Sequence, residues 1–217
     1  MIGSSSGIHD RGDGGVYLAH AVLDEDVLAA VREANLAFLA LVAERHAREP
    51  RSRAVGLAPA AAARIAALDG DARRAAAGSP YTLFNLRFEE PPLVHGPAPG
   101  RGAAGEAALA RTGVFLAWHL AQSSPLAAAL ALGMALPVAH AWRVLPLSAL
   151  DGVAAAALPF LAARWADHPV FWTKLLDAAE VLDRDRAAAV RLLGLQLLAA
   201  DGIRAAPGAG EAPAPES

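Results

Sequence analysis

The sequence repeats itself at an offset of 77 residues, and this limits the possible folds more than any other feature of the chain. Residues 38–95 align with residues 115–172 without a gap. The informative identities pair Phe38 with Phe115, Gly56 with Gly133, Leu68 with Leu145, and Arg87 with Arg164. Similarity at a fixed period is typical of a duplicated structural unit. We therefore interpret the chain as a tandem duplication; the alternative is chance similarity between two alanine-rich stretches.

The composition favours helices and excludes several kinds of chemistry. Of the 217 residues, 56 are alanine and only 6% are aromatic. Alanine has the highest helix propensity and a small side chain, so we predict an all-α fold of closely packed helices. The sequence contains no cysteine, which excludes disulfides, thiolate metal sites and cysteine nucleophiles. A net charge of −3 argues against nucleic-acid binding by this chain alone.

Turn-forming residues divide the chain into five parts. Residues 91–105 contain four prolines and four glycines, a composition typical of a linker. The terminal stretches are rich in Gly, Ser, Pro and Ala. We predict a flexible N-terminal arm at 1–20, a first repeat at 21–90, a second repeat with a C-terminal helix at 106–204, and a disordered tail at 205–217.

Within the repeats, apolar spacing predicts helices separated by short turns. Residues 24–47 have amphipathic helical spacing with Asp24 or Asp26 as a candidate N-cap, and Pro59 marks the start of a further helix. Residues 81–88 (Tyr-Thr-Leu-Phe-Asn-Leu-Arg-Phe) form the one extended, β-prone stretch.

One long stretch has the composition to raise the question of a membrane span. Residues 112–142 contain no Asp, Glu, Lys or Arg, but Pro125 and Pro137 interrupt them. A spanning helix needs about 20 consecutive apolar residues. We therefore interpret this stretch as buried helices and, because the N-terminus lacks the pattern of a secretory signal, we expect a cytoplasmic protein.

The two repeats differ in charge at equivalent positions. Five positions are arginine in the first repeat and uncharged in the second: Arg48/Pro125, Arg51/Ala128, Arg53/Leu130, Arg64/Ala141 and Arg73/Leu150. Arginine is seldom fully buried unless it is paired. We expect these faces to meet water in the first repeat and protein in the second.

Four segments of the first repeat recur in a known protein family. They are Asn35-Leu36-Ala37-Phe38-Leu39-Ala40-Leu41, Gly56-Leu57, Ile65-Ala66-Ala67-Leu68, and Leu83 to Phe88 followed by Glu89-Glu90. Through them the chain resembles the FlhD family of bacterial flagellar transcriptional regulators over residues 27–90, and over 114–200 through the repeat. It departs from the family in its Pro/Gly linker and in lacking a cysteine before Arg87-Phe88.

The resemblance implies both an architecture and a partner. FlhD-like proteins are all-α homodimers with intertwined helices that pair with FlhC, which makes much of the DNA contact. The chain is therefore expected to hold two tandem FlhD-like helical repeats packed as an intramolecular pseudo-dimer. Fusion makes the pairing of the two repeats intramolecular, at a high effective concentration. A FlhC-like protein is the implied partner, with DNA contacted through the complex.

The sequence contains no catalytic or metal-binding pattern. No two of its seven histidines stand four residues apart with an acid between them, the spacing of a zinc hydrolase helix. The glycine-rich stretch after residue 95 lacks the Lys-Ser/Thr ending of a phosphate-binding loop. We predict that the protein is not an enzyme and has no cofactor and no metal site.

Two groups of residues are candidates for binding. Arg45, Arg48, Arg51 and Arg53 form a basic patch that could contact phosphates of DNA; the alternative is a solvated helix face, since no base-reading side chain interrupts it. Leu126, Leu130, Trp142 and Trp172 are candidates for a partner interface. For the aromatic residues near Trp172 the alternative is a hydrophobic core.

Two equivalent arginines have an acid three residues later. These pairs are Arg87 with Glu90 and Arg164 with Asp167. We predict that both are structural ion pairs at the ends of the repeats.

Taken with the resemblance, these features predict a transcriptional regulator or co-regulator that acts through protein–protein contacts. The alternative is a non-enzymatic scaffold or adaptor that has kept the fold without DNA regulation. An adjacent gene for a FlhC-like protein would favour the regulator.

Overall fold

The structure, a computed structural model, describes residues 23–93 and 103–205, and the predicted all-α class is confirmed. The first half, residues 23–93, contains α1 (Glu25–Arg48), α2 (Pro59–Ala67), α3 (Gly70–Ala77) and strand β1 (Phe84–Asn85). The second half, residues 103–205, contains α4 (Ala104–Ser123), α5 (Pro125–Leu132), α6 (Leu136–Arg143), α7 (Leu150–Ala157), strand β2 (Ala162–Ala163), α8 (Phe171–Glu180) and α9 (Arg184–Ala205). Short 3-10 turns flank α7 at Leu147–Ala149 and Leu158–Phe160. The predicted N-terminal arm, most of the predicted linker and residues 206–217 lie outside the described residues.

Local signals account for the helix starts of the first half. Asp24 caps α1, since its carboxylate accepts a hydrogen bond of 2.8 Å from the backbone N–H of Val27. Pro59 occupies the first turn of α2, where its missing N–H costs nothing. Asp69 caps α3 in the same way as Asp24 caps α1. These residues fix where the chain enters each helix.

The two halves share one hydrophobic core. Helix α1 packs against α2, α3 and α4, while α4 packs against α5, α6 and α7. Aromatic rings of the two halves meet in this core: Phe38 lies 6.2 Å from Trp172, and Tyr81 lies 5.5 Å from Trp165. Because the rings of one half pack on those of the other, neither half completes its core alone.

The predicted extended stretch, residues 81–88, forms backbone hydrogen bonds with the second half. Strand β1 pairs antiparallel with β2, with Phe84 opposite Ala163 and Asn85 opposite Ala162. Nearby, the backbone N–H of Thr82 donates to the carbonyl of Ala131 at 2.9 Å. The second half therefore supplies part of the hydrogen bonding of this buried segment.

Asn35, the polar residue in the middle of α1, pairs further backbone groups in and beside that segment. Its amide nitrogen donates to the carbonyls of Ala77 (3.2 Å) and Tyr81 (2.9 Å), and its amide oxygen accepts from the N–H of Leu83 (2.8 Å). The side chain is fully buried. These bonds explain why a polar residue stands in the apolar Asn35–Leu41 motif.

The two halves differ in secondary structure at residues 49–58 and 126–135, although the sequence alignment has no gap there. In the first half, residues 49–58 form a turn, whereas most of the equivalent residues of the second half form helix α5. Ser124 caps α5, Pro125 opens it, and Gly133 ends it with a φ of 68°. The first half has Pro50, Ser52 and Val55 where α5 has Ala127, Ala129 and Leu132, and the residues of the first half favour a helix less.

Helix α9 packs against the buried ring of Tyr81 at Gly194. The hydroxyl of Tyr81 donates to the carbonyl of Val190, and a Cβ at Gly194 would lie only 1.9 Å from that hydroxyl oxygen. Burial raises the pKa of Tyr81, so the ring stays neutral. The close approach of α9 to this ring therefore requires glycine at position 194.

We expect Gly194→Ala to lower the free energy of unfolding by about 1–3 kcal/mol, because the added methyl overpacks a buried ring. Gly152→Ala is the matched control: nothing lies within 4 Å of a Cβ there, and alanine favours the helix by about 1 kcal/mol. Urea unfolding followed by circular dichroism measures both. Equal midpoints for the two variants would contradict the packing of α9 against Tyr81.

We expect Asn35→Leu to lower the free energy of unfolding by about 2–4 kcal/mol, because it leaves two buried carbonyls and one N–H unpaired. Asn35→Asp keeps the acceptor for Leu83 but places a carboxylate beside the two carbonyls, which raises its pKa in the folded state. The folded Asp variant then binds more protons than the unfolded one, so its stability falls as the pH rises from about 4 to about 7. Urea unfolding across this range tests it, and a pH profile parallel to that of the parent protein contradicts it.

Candidate functional site

The four arginines of the predicted basic patch lie at the end of α1 and in the turn that follows. Three of them are paired within the chain. Arg45 pairs with Glu106 of α4, and Arg48 pairs with Glu44 one turn earlier. Arg53 donates to the carbonyl of Gly56 at 2.8 Å and to Asp167 at 2.5 Å. The three paired arginines line a small cleft of about 150 Å³.

The pairing removes most of the charge of the patch. Glu44, Glu106 and Asp167 neutralise three arginines, and the acid Glu49 lines the same cleft. Arg51 is exposed and, within the described residues, has no ion pair. A phosphate would have to compete with carboxylates already in place, so the patch resembles the alternative, a solvated and internally paired face.

Glu106 is the nearly buried carboxylate of this region. It accepts a hydrogen bond from the N–H of Ala103 at the start of α4 and pairs with Arg45 of α1. The pair connects the first helices of the two halves. Sequence reasoning missed it, because the two residues are separated by the linker and neither spacing nor motif relates them.

We expect Arg45→Ala to lower the free energy of unfolding by about 1–3 kcal/mol, since it leaves a nearly buried carboxylate without its cation. Arg48→Ala is the control, because its pair with Glu44 is exposed and contributes less than about 0.5 kcal/mol. Adding Glu106→Gln to Arg45→Ala restores part of the loss. Thermal and urea unfolding measure the three variants, and equal losses for Arg45→Ala and Arg48→Ala would contradict this role of Glu106.

The residues predicted for a partner interface divide into two groups. Leu126 is 48% exposed, and Leu130 is half-buried and lines an apolar groove of about 430 Å³ between α5 and α9. Trp142 and Trp172 are only 2% and 4% exposed. These two tryptophans are part of the core, packed against Phe88 and Phe38, and offer no surface to a partner.

The predicted ion pairs at the repeat ends differ from each other. Arg87 pairs with Glu90 and stacks on the ring of Phe160 at 4.5 Å. Arg164 does not pair with Asp167, so this prediction is wrong. Asp167 turns outward to Arg53, while Arg164 is buried and donates to the carbonyl of Leu132 at 2.8 Å and to the hydroxyl of Thr82 at 3.2 Å.

Arg164 lines a pocket of about 480 Å³ beside the β1–β2 pair, together with Glu89 and Asp201. Burial lowers the pKa of this guanidinium to about 10, and the nearby carboxylates of Glu89 and Asp201 oppose the shift. Within the described residues, the Nε–H of Arg164 is buried without a hydrogen-bond partner. Glu89 itself accepts a hydrogen bond from Asn85, and Asp201 accepts one from the indole N–H of Trp165. Both carboxylates are thus hydrogen-bonded within the fold.

Neither a metal site nor a membrane span is found in the part of the chain that the structure describes. No three His, Asp or Glu side chains there lie close enough together to hold a metal ion. No single helix of residues 23–93 and 103–205 is long and apolar enough to cross a membrane. Helices α5 and α6 reach that length and composition only as a pair, and this pair is bent by 118° at its break.

Comparisons of the chain with family models, with curated proteins and with solved structures find no match.

Proposed function

We propose that the protein is a transcriptional regulator or co-regulator of the FlhD type, built from two tandem repeats that pack as an intramolecular pseudo-dimer. It acts through protein–protein contacts, and a partner chain such as an FlhC-like protein makes most of the DNA contact. The observation that carries this proposal is that α1, α2, α3 and β1 recur in the second half as α4, α6, α7 and β2, each within a few residues of the 77-residue offset.

The helix bounds support the duplication. Shifted by 77 residues, α2 (Pro59–Ala67) becomes 136–144, against Leu136–Arg143 for α6. Shifted in the same way, α3 (Gly70–Ala77) becomes 147–154, which the 3-10 turn at Leu147 and the start of α7 occupy. Gly56 and Gly133, one offset apart, both have positive φ, at 91° and 68°. Such backbone is costly for other residues, so the two identities have one physical cause.

The strand pairing supports the pseudo-dimer. Equivalent strands related by a twofold axis perpendicular to them pair antiparallel, and β1 and β2 do so. Asn85 lies opposite Ala162, and these two residues are one repeat offset apart. A pseudo-twofold axis through this residue pair would relate the halves, as a dimer axis relates identical chains.

The charge distribution supports DNA contact through a partner. Three of the four patch arginines are held by carboxylates of this chain, which leaves few cations to replace the counterions of DNA. The same observation favours the second candidate, a scaffold or adaptor without a role on DNA. The two candidates differ in whether a ternary complex with DNA forms.

The experiment is a gel-shift assay on promoter fragments from the source genome, with the chain alone and with any FlhC-like protein encoded beside it. We expect no shift with the chain alone at about 150 mM salt and a shift when both proteins are present. Arg51→Ala removes the patch arginine that has no ion pair within the described residues; we expect at most about a one-unit change in the salt slope.

Two outcomes would contradict the regulator. One is the absence of any promoter shift with both proteins at low salt, while the purified chain is folded by circular dichroism; this leaves the scaffold. The other is an equally strong shift on unrelated DNA, which indicates electrostatic binding without a regulatory target.

A further inference from the structure

Helix α8 belongs to the second half but covers helices of the first. It packs against α2 and α3 and buries an apolar side that includes Phe171, Trp172, Leu175 and Leu176. Its acidic residues face Arg64 of α2, which donates to Glu180 at 2.9 Å and to Asp177 at 2.7 Å. These hydrogen bonds raise the pKa of Arg64, and the bond to Glu180 contributes more to the rise than the bond to Asp177. Helix α8 thus covers α2 and α3 of the first half with aromatic and leucine side chains and binds Arg64 with two acids.

The helices of the second half that correspond to α2 and α3 are α6 and α7. One repeat offset before α8 lies the sequence 94–103, Val-His-Gly-Pro-Ala-Pro-Gly-Arg-Gly-Ala. This sequence lacks the aromatic and leucine stripe of α8. Among the described elements, α7 packs against α4 and its flanking 3-10 turns, and no counterpart of α8 covers it.

Burial at equivalent positions shows the difference between the halves. Ala72 of α3 is buried and its equivalent Ala149 is half-buried; Ala75 is half-buried and its equivalent Gly152 is exposed. A methyl group at Gly152 would meet no described atom within 4 Å. We call the surface of Ala141, Ala149 and Gly152 the open face.

The turn beside the open face also exposes apolar side chains. This turn joins α6 to the 3-10 turn before α7. Val144 in this turn is 81% exposed, and Leu147, the first residue of the 3-10 turn, is 59% exposed. Exposed apolar residues next to an uncovered helix surface are typical of a site that binds another protein segment.

The charge of the open face determines which helix fits it. Ala141 stands where the first half has Arg64, so acids at the positions of Asp177 and Glu180 would lack the arginine that binds them in the first half. Helix α8 of a second copy carries those acids and is already held by its own first half. A helix with the apolar stripe of α8 but without its acids matches the open face better.

We propose that the open face docks an amphipathic helix from a partner protein, in the way that α8 covers α2 and α3. This inference rests on the proposed tandem arrangement and identifies where the partner binds. The docked helix presents aromatic and leucine side chains at i, i+3 and i+4 spacing, and uncharged residues opposite Ala141. It recognises the second half by shape and apolar contact, whereas α8 recognises the first half by apolar contact and ion pairs.

The absence of cysteine from the sequence allows the open face to be probed directly. Gly152→Cys and Ala75→Cys place single thiols at equivalent positions of the open and the covered face. We expect the thiol at position 152 to react with a maleimide dye at least about tenfold faster than the thiol at position 75, because thiol reactivity follows exposure. Equal, slow rates would mean that residues of this chain or a second copy cover the face, and would overturn the proposal.

Two peptides then test the helix itself on the full chain. One has the sequence of residues 170–181, and the other, the neutral peptide, is the same with alanine in place of Asp177 and Glu180. We expect the neutral peptide to protect the thiol at position 152 from labelling at about 10–500 µM, and to leave labelling at position 75 unchanged. The acidic peptide is expected to bind about twofold to fivefold more weakly, and Ala141→Arg to reverse this order.

The outcomes separate this inference from the proposed function. Protection by neither peptide at millimolar concentration overturns the docking site, even if the promoter shift with the partner is retained. Protection that instead rises with protein concentration, together with a doubled mass in light scattering, assigns the face to a second copy and also overturns it. Binding of the neutral peptide with no promoter shift keeps the docking site and removes the regulator.

Discussion

The backbone of the buried segment 81–88 needs hydrogen-bond partners away from water, and the arrangement of the two halves follows from that need. The side chain of Asn35 in α1 donates to the carbonyl of Tyr81 and accepts from the N–H of Leu83. In the second half, the carbonyl of Ala131 accepts from the N–H of Thr82, and the N–H of Arg164 donates to the carbonyl of Leu83. Neither half contains all these partners. Loss of the contact between the halves would leave backbone N–H and C=O groups of this segment without hydrogen-bond partners. We therefore expect the described residues to unfold as one cooperative unit.

Elements with local signals were predictable from the sequence, and elements formed by long-range contacts were not. Asp24 and Pro59 mark helix starts by their own chemistry, and the extended character of residues 81–88 follows from their β-branched and aromatic composition. Strand β2 is a pair of alanines with no strand preference; it pairs because β1 lies beside it. Arg164 is in the core because Leu132 and Thr82 accept its hydrogen bonds there, which no spacing in the sequence reveals.

The basic patch shows the same limit for function. The positions of Arg45, Arg48 and Arg53 were readable in the sequence, but the acids that pair with two of them come from the second half. A run of like charges along the chain therefore became a nearly neutral surface in space. A charge count along the sequence overestimates binding to phosphates unless the distant carboxylates are known.

A fused pseudo-dimer differs from a homodimer in one physical respect: its two halves need not present the same surface. In a homodimer, a substitution that removes a cation from one face removes it from both. Within one chain, Arg64 can hold the acids of α8 while its equivalent is Ala141, so one half completes the fold and the other is left open. Under the proposed duplication and docking, this divergence would give a single docking face per molecule. A partner bound there would form a complex with one copy of each chain, because α8 already covers the corresponding helices of the first half.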